Sequence, residues 1–313
     1  MTALRIGTRG SALALWQART VGALLESKGA RVEIVVISTA GDRRHQAPLS
    51  EVGGKRLFVK EIEDALLGGT IDVAVHSAKD MSAVLPDGLE VVAALPREDP
   101  RDALVLPDGI GADDFAGALA QLGEAPAIGT GSIRRIAQLS ALLPNAAFAP
   151  IRGNVDTRLR KLDAGGLDAL VLAAAGMRRL GLATRISAAI PIDACVPAPG
   201  QGIVAIEIRA DDRVARDVLE PAGDRAAAVS LTAERAVVTA LGGGCQLPLG
   251  AIALVDNGTL RMHGVVASPD GRRMIRREAA GPQEDPVGVG TRLANELLRA
   301  GAAEILDGVR KNH

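Results

Sequence analysis

The sequence predicts an α/β protein: two similar lobes, each built on an open sheet, followed by a smaller α+β domain. Three observations carry this prediction. Short Val/Ile/Leu runs alternate with amphipathic segments from Leu4 onward, the same grammar restarts after the Pro96–Pro100 cluster, and from Asp224 it gives way to one helix and a succession of alternating strands.

In the first lobe, Leu4–Gly7, Val32–Ser38 and Ile71–Val75 read as strands, and Ala12–Leu25 and Phe58–Leu67 as amphipathic helices. The second lobe offers strands near Ala103–Leu106, Ala127–Ile128, Ala147–Ile151 and Ala169–Ala173. A Pro/Gly cluster at Pro197–Gly202 then punctuates the chain before Ile203–Ile208, an apolar run suited to a buried strand, and reads as a crossing between lobes. The expected division is residues 1–98 with 200–220 for the first lobe, 99–199 for the second and 221–313 for the third domain. That domain holds a helix near Leu231–Leu241, strands at Ala251–Val255, Leu260–Ala267 and Arg273–Glu278, and a helix near Val287–Leu306. The Ser268-Pro269-Asp270-Gly271 turn makes the last two strands a hairpin.

Composition limits what the fold can do. Lys plus Arg number 36 against 37 Asp plus Glu, a formal net charge of -1, which argues against a protein that coats nucleic acid. Three Phe, one Trp and no Tyr leave a core of Ala, Val, Leu and Ile and too few rings for a base-stacking platform. A charged ligand must therefore be read by Arg, Lys and backbone amides. Arg5 and Arg9 lie near the start with no signal-type apolar run behind them. The most apolar stretch, Leu167–Met177, is broken by Asp168 and falls short of the roughly 18 residues that cross a bilayer. A cytoplasmic protein with no membrane association is expected. Cys195 and Cys245 have no metal-type Cys or His neighbour, and His45, His76, His263 and His313 are scattered, so no metal site is expected.

The candidate chemistry sits at strand ends. Neither glycine cluster matches a nucleotide fingerprint: Gly7 and Gly10 have the wrong spacing, and Gly53-Gly54-Lys55 is followed by Arg56 rather than Ser or Thr. At Ser132-Ile133-Arg134-Arg135, Ser132 reads as an N-cap, which puts two cations in the first helical turn against the dipole, at a cost of about 0.3 to 1 kcal/mol each. Two guanidinium groups beside free helix amides make an anion site that a bound carboxylate or phosphate would stabilise; a solvated surface pair is the alternative. Gly129-Thr130-Gly131-Ser132 echoes Gly7-Thr8-Arg9-Gly10-Ser11, and two lobes facing one another would aim both helix starts at a shared cleft; an ordinary capped turn before a helix is the alternative. Arg9 and Arg152 add cations at strand ends of the two lobes, Arg158 adds one on the helix that follows Asn154, and together these argue for a polyanionic ligand. The run Ile71–Val75 leads into His76-Ser77-Ala78-Lys79-Asp80, where an α/β sheet presents its ligand groups. Asp80 reads either as a carboxylate that stabilises a cation or accepts a proton, or as half of a loop salt bridge. Cys245 follows three glycines, which open its thiol to solvent or modification; Cys195, between Ala194 and Val196, reads as an inert core residue.

These residues, taken in order, resemble the porphobilinogen deaminase (hydroxymethylbilane synthase) family over nearly the whole chain. The resemblance is carried by Arg9-Gly10-Ser11 with Ala14-Leu15-Trp16-Gln17, Val52-Gly53-Gly54-Lys55 with Leu57-Phe58, His76-Ser77 with Lys79-Asp80, and Arg97-Glu98-Asp99-Pro100-Arg101-Asp102. Ser132 with Arg134-Arg135, Arg152-Gly153-Asn154-Val155, Gly200-Gln201-Gly202 and Gly243-Gly244-Cys245 with Pro248 complete it. It implies two lobes like those of type II periplasmic binding proteins, and a third domain whose cysteine, here Cys245, holds a dipyrromethane cofactor through a thioether. It implies a monomeric transferase that joins four porphobilinogen molecules head to tail, releases ammonia at each step and hydrolyses the product hydroxymethylbilane from the cofactor, in tetrapyrrole (haem or chlorophyll) biosynthesis. Asp80 matches the family's catalytic aspartate.

By the same resemblance, Ser77, Lys79, Asp80, Lys55, Thr130, Ser132, Arg134, Arg135 and Arg158 are expected at the cofactor. Arg9, Ser11, Gln17, Arg152, Asn154, Arg179 and Gln201 are expected at the substrate. The chain departs from the family at Gly131, where a second serine is common, and at Met81-Ser82, where an apolar residue and Pro commonly follow the aspartate. One hydroxyl contact is expected to be missing and the loop to take another path. Two rivals fit fewer residues. A non-catalytic anion-binding protein leaves Cys245 without a role, and a cysteine acyl transferase needs a base, for which the same domain offers His263 besides the terminal His313.

Overall fold

The computed structural model describes residues 3–39, 59–243 and 247–311. The expectations for Lys55 and Cys245 fall outside these residues. The chain opens with β1 (Leu4–Thr8), α1 (Ala12–Ser27), β2 (Val32–Val36), α2 (Lys60–Leu67), β3 (Val73–Ser77) and β4 (Leu89–Ala94). It continues through β5 (Asp102–Val105), α3 (Phe115–Ala120), β6 (Ala127–Gly129), α4 (Ile133–Leu142), β7 (Ala147–Ala149), α5 (Val155–Asp163), β8 (Ala169–Ala173), α6 (Ala174–Arg179) and β9 (Ala188–Ala189). Then come β10 (Val204–Arg209), α7 (Arg213–Leu219), α8 (Arg225–Ala240), β11 (Leu249–Asp256), β12 (Thr259–Ala267), β13 (Met274–Pro282), α9 (Pro286–Arg299) and α10 (Ala302–Lys311).

The two lobes share one plan. The first sheet runs β2-β1-β3-β10-β4 and the second β7-β6-β8-β5-β9. In each, three parallel strands are followed by an antiparallel one, β10 in the first and β5 in the second. Those two antiparallel strands lie directly after the two crossings between lobes, so each crossing ends inside a sheet. Val204, Ala205, Ile206, Glu207 and Ile208 of β10 are all buried, as expected of a strand covered on both faces.

Local chemistry explains the ends of the elements. Ser11 caps α1, its Oγ accepting from the Ala14 amide at 3.3 Å, and α1 buries Ala18, Val21, Gly22 and Leu25 against the sheet. In the third domain, β11-β12-β13 form an antiparallel sheet over a core shared with α8, α9 and α10, including Val237, Leu249, Leu260, Leu293 and Leu306. The expected hairpin joins β12 to β13, with Ala267 opposite Met274. The Val287–Leu306 pattern, expected as one helix, is two: Gly301 adopts φ 95° between α9 and α10, a left-handed conformation that a continuous helix does not contain.

Candidate functional site

The C-terminal ends of β1 and β3 lie side by side in the first lobe, with Ile6 opposite Val73 and Gly7 opposite Ala74. They carry Arg9 and Ser11 on one side and Ser77, Lys79 and Asp80 on the other. Gln17, only 2% exposed on α1, joins them by donating from Nε2 to Ser77 Oγ at 2.8 Å. Lys79 and Asp80 lie in a single 3-10 turn, Ala78–Asp80, and are partly exposed. His76, expected among the groups presented to a ligand, lies inside the sheet instead. It is 5% exposed and its Nε2 meets Glu207 Oε2 at 3.0 Å on the neighbouring strand. Pairing with β10 extends β3 two residues beyond the predicted Val75, and that extension draws His76 indoors.

Gly200, having no side chain, lets the second crossing pack directly against the Asp80 turn. Its φ is 75°, and a Cβ there would lie 2.8 Å from Ala78 C and 2.9 Å from Lys79 N. Gly202, at φ 86°, similarly lets the second crossing press against the Glu98 carbonyl of the first. Both crossings are tied to the third domain by Glu234 of α8, which is fully buried. Its carboxylate accepts from Arg97 Nη1 at 2.6 Å, from the Ala253 amide at 2.7 Å and from the Gly200 amide.

In the second lobe, the ends of β6 and β7 bring Thr130 and Ser132 together, with Arg152 three residues beyond β7: the Thr130 amide donates to Ala149 O at 2.9 Å, and Ser132 N to Thr130 Oγ1 at 3.3 Å. Ser132 occupies the N-cap position of α4, yet its side chain makes no cap bond. Gly131 is exposed, and a side chain there would meet only the Ile151 carbonyl at 3.7 Å. The path after Asp80 turns inward, with Met81 5% exposed and packed near Ile203 and Leu231.

The arginine pair is neither solvated nor waiting for its first counter-ion. Arg134 and Arg135 are 4% and 7% exposed, and both face Asp102, which is fully buried at the start of β5. Arg134 Nη1 donates to Asp102 Oδ2 at 2.7 Å and to Val196 O at 2.8 Å. Arg135 donates to Asp102 Oδ1 from Nε at 3.0 Å and Nη2 at 2.8 Å, and from Nη1 to Val171 O at 2.8 Å. Gln201, 1% exposed, donates from Nε2 to the same Oδ1 at 2.9 Å and to Pro100 O at 2.7 Å. Burial alone would raise Asp102's pKa; the two guanidinium groups outweigh it and hold the acid ionised, well below the usual carboxylate range.

Arg158 on α5 links the two lobes electrostatically. Burial pulls its guanidinium below the ordinary arginine value, the charge of Arg135 adds to that, and Asp80 opposes it. Its Nε donates to Gly153 O at 2.8 Å. Asn154 is exposed at the N-cap position of α5 and makes no side-chain cap bond. Arg179 stands apart from this group. It lies 5.5 Å over the Trp16 ring, donates from Nη2 to Gly202 O at 2.7 Å and lines an open groove of about 530 Å³ with Trp16 and Arg19. Cys195 is fully buried with Sγ 3.5 Å from Asp102 Oδ2, and burial first of all pushes its thiol up to about 12.

Sequence reasoning named neither Asp102 nor Glu234 as a site residue. For Asp102 a signal existed: a carboxylate opening the apolar run Ala103–Leu106 is a charge about to be buried, and a buried charge requires partners.

Two family models match the chain. One, described as porphobilinogen deaminase, dipyromethane cofactor binding domain, covers residues 4–217, and the other, described as porphobilinogen deaminase, C-terminal domain, covers residues 228–299. A protein of Acidithiobacillus ferrooxidans named porphobilinogen deaminase is 48% identical over 309 residues, covering 98% of this chain and 98% of the relative. Relatives of the same name are 46% identical over 306 residues in Syntrophobacter fumaroxidans, with 97% of each chain covered. In Roseiflexus sp. the figure is 47% over 307 residues, covering 97% of this chain and 99% of the relative.

Proposed function

The chain belongs to the porphobilinogen deaminase family, whose work is tetrapyrrole synthesis, and from that premise we propose that Cys245 carries the dipyrromethane and that Asp80 serves the reacting carbon. The described residues fit such a group. Each pyrrole brings two carboxylates, and the charge on Arg158 is already disfavoured by burial and by Arg135, so an added carboxylate relieves it. The amides at the start of α4 receive no side-chain cap from Ser132, which leaves that end of the dipole for an anion. Thr130, Ser132, Arg134, Arg158, Ser77 and Lys79 would hold it, with Lys55, outside the described residues, expected beside them; Arg135, whose nitrogens are already engaged, would add its charge. When bound, the dipyrromethane would supply the terminal pyrrole carbon to which the first porphobilinogen is joined, each later one joining the end of the lengthening chain.

The chain's own residues do the rest. Arg9, Ser11, Arg152 and Asn154, at facing strand ends, orient the substrate's acetate and propionate; Gln17 fixes Ser77 beside them. Charge-assisted hydrogen bonds contribute about 1.5 to 3 kcal/mol each, so five sum to about 10 kcal/mol, against about 8 kcal/mol for micromolar binding. As the C–N bond of the substrate's protonated aminomethyl group breaks, its electron pair leaves with nitrogen as ammonia and the positive charge passes to the substrate pyrrole; the ring carbon that joins it gives up its proton. Asp80, set by Gly200 in the turn after β3, places a negative charge there. Cys195 is a poor alternative attachment point, because its buried thiol resists ionisation.

The observation that carries the reading is that Asp80, in the turn after β3 of the first lobe, lies close enough to Arg158 of the second to favour its charge. Intact-protein mass spectrometry tests it: the chain should carry a covalent dipyrrole that a Cys245→Ser variant lacks. Asp80→Asn should keep that mass and lose nearly all ammonia release. Near-normal turnover by Asp80→Asn, or a dipyrrole retained without Cys245, would refute the assignment.

A further inference from the structure

We propose that Asp102 is a positioning residue for cofactor assembly, acting through Arg134; this rests on the reading that the start of α4 holds cofactor carboxylates. The division of labour within the pair follows from their donors. All three nitrogens of Arg135 are engaged, Nε and Nη2 by Asp102 and Nη1 by Val171 O. Among the described residues Arg134 is engaged through Nη1 alone, by Asp102, Val196 O and the Cys195 sulfur at 3.4 Å. Arg134 therefore keeps Nε and Nη2 for a ligand at the start of α4, whereas Arg135 contributes its charge and its grip on Asp102.

Asp102 also fixes where that edge stands. Gln201 Nε2 binds the same carboxylate, and Gln138 donates from Nε2 to Val196 O at 3.1 Å while its Oε1 accepts from Val196 N at 2.8 Å. The first turn of α4 is thereby bound to both crossings, at 100–102 and at 196–201. Asp102 cancels one of the two positive charges, leaving a net charge of one beside the helix amides. A guanidinium fork recognises a carboxylate through two parallel bonds, so its usefulness depends on a fixed plane.

The alternative is that Asp102 only neutralises a buried Arg135, and two variants separate these roles. Asp102→Asn removes the anchor and leaves an unbalanced charge. Asp102→Asn combined with Arg135→Met removes the anchor and the unbalanced charge together, a replacement that buried pairs tolerate. Each protein is produced in cells unable to make porphobilinogen, so that it is purified without dipyrrole, then checked by thermal melting and incubated with porphobilinogen while the dipyrrole-bearing fraction is followed by intact mass.

Both variants are expected to load about 10- to 100-fold more slowly than wild type, the loss that goes with misplacing a binding group by an ångström, with the double variant melting closer to wild type. Loading at the wild-type rate by the folded double variant would overturn the proposal, because charge balance alone would then suffice. So would failure of both variants to fold, which would make Asp102 an element of the core. Wild-type protein that never acquires dipyrrole mass would instead sink the functional reading on which the proposal stands.

Discussion

Gly200→Ala tests whether the Asp80 turn is held by contact with the second crossing. The new Cβ would lie 2.8 Å from Ala78 C and 2.9 Å from both Ala78 Cβ and Lys79 N. Carbon contacts settle near 3.5 Å or more, so the Ala78–Lys79 backbone must retreat by about 0.7 Å. Two costs follow. A non-glycine residue at φ 75° loses about 1 to 2 kcal/mol, and overpacking adds about 1 to 3 kcal/mol. The functional loss is separate: Asp80 closes the same 3-10 turn, and a shift of that size at a reacting group costs roughly 10- to 100-fold in turnover. Gly109→Ala is the control, because Gly109 adopts φ 84° with nothing within 4 Å of its Cβ position. It incurs the conformational cost alone and should turn over like wild type. The assay is ammonia release per dipyrrole-loaded molecule, beside thermal melts. If the two alanine variants release ammonia at the same rate, the turn is not placed by Gly200, or its placement does not govern the chemistry.

Glu234→Ala should destabilise the protein by about 3 to 5 kcal/mol in urea titration, because it leaves the Arg97 guanidinium and the Gly200 and Ala253 amides without their buried acceptor. Native Cys195 should resist iodoacetamide at pH about 8 and react once the chain is unfolded, since a thiol pushed up to about 12 presents almost no thiolate; Cys195→Ala should still acquire the dipyrrole. Acid sensitivity carries a definite sign. Asp102's folded pKa lies below its ordinary 3.8, so its contribution is complete above that value and is lost as pH falls through the folded one. Urea midpoints measured from about pH 5 down to pH 2 should therefore fall for wild type more steeply than for Asp102→Asn, and parallel curves would contradict the pairing.

What the sequence discloses here is local, and what it withholds is pairing. The alternation of apolar runs was enough for both lobes and the third domain, and Ser11 before Ala12 was enough for a capped helix, because those features depend on residues a few positions apart. The α9–α10 break was missed because one glycine in an amphipathic pattern costs only about 1 kcal/mol, which neighbouring contacts can absorb or not. The same limit applies at the site. Two arginines in a first helical turn announce an electrostatic conflict, but its resolution lies in Asp102, which is 32 and 33 residues away along the chain, and in Gln201, 99 residues from Asp102. His76 illustrates the converse: its polar neighbours suggested exposure, and a strand arriving 131 residues later at Glu207 buried it. A net charge of -1 conceals all of this, since buried cations and anions cancel in the sum. Anion recognition depends instead on which guanidinium edges remain after internal pairing, and by that measure Arg134, engaged through Nη1 alone among the described residues, keeps edges that Arg135 does not.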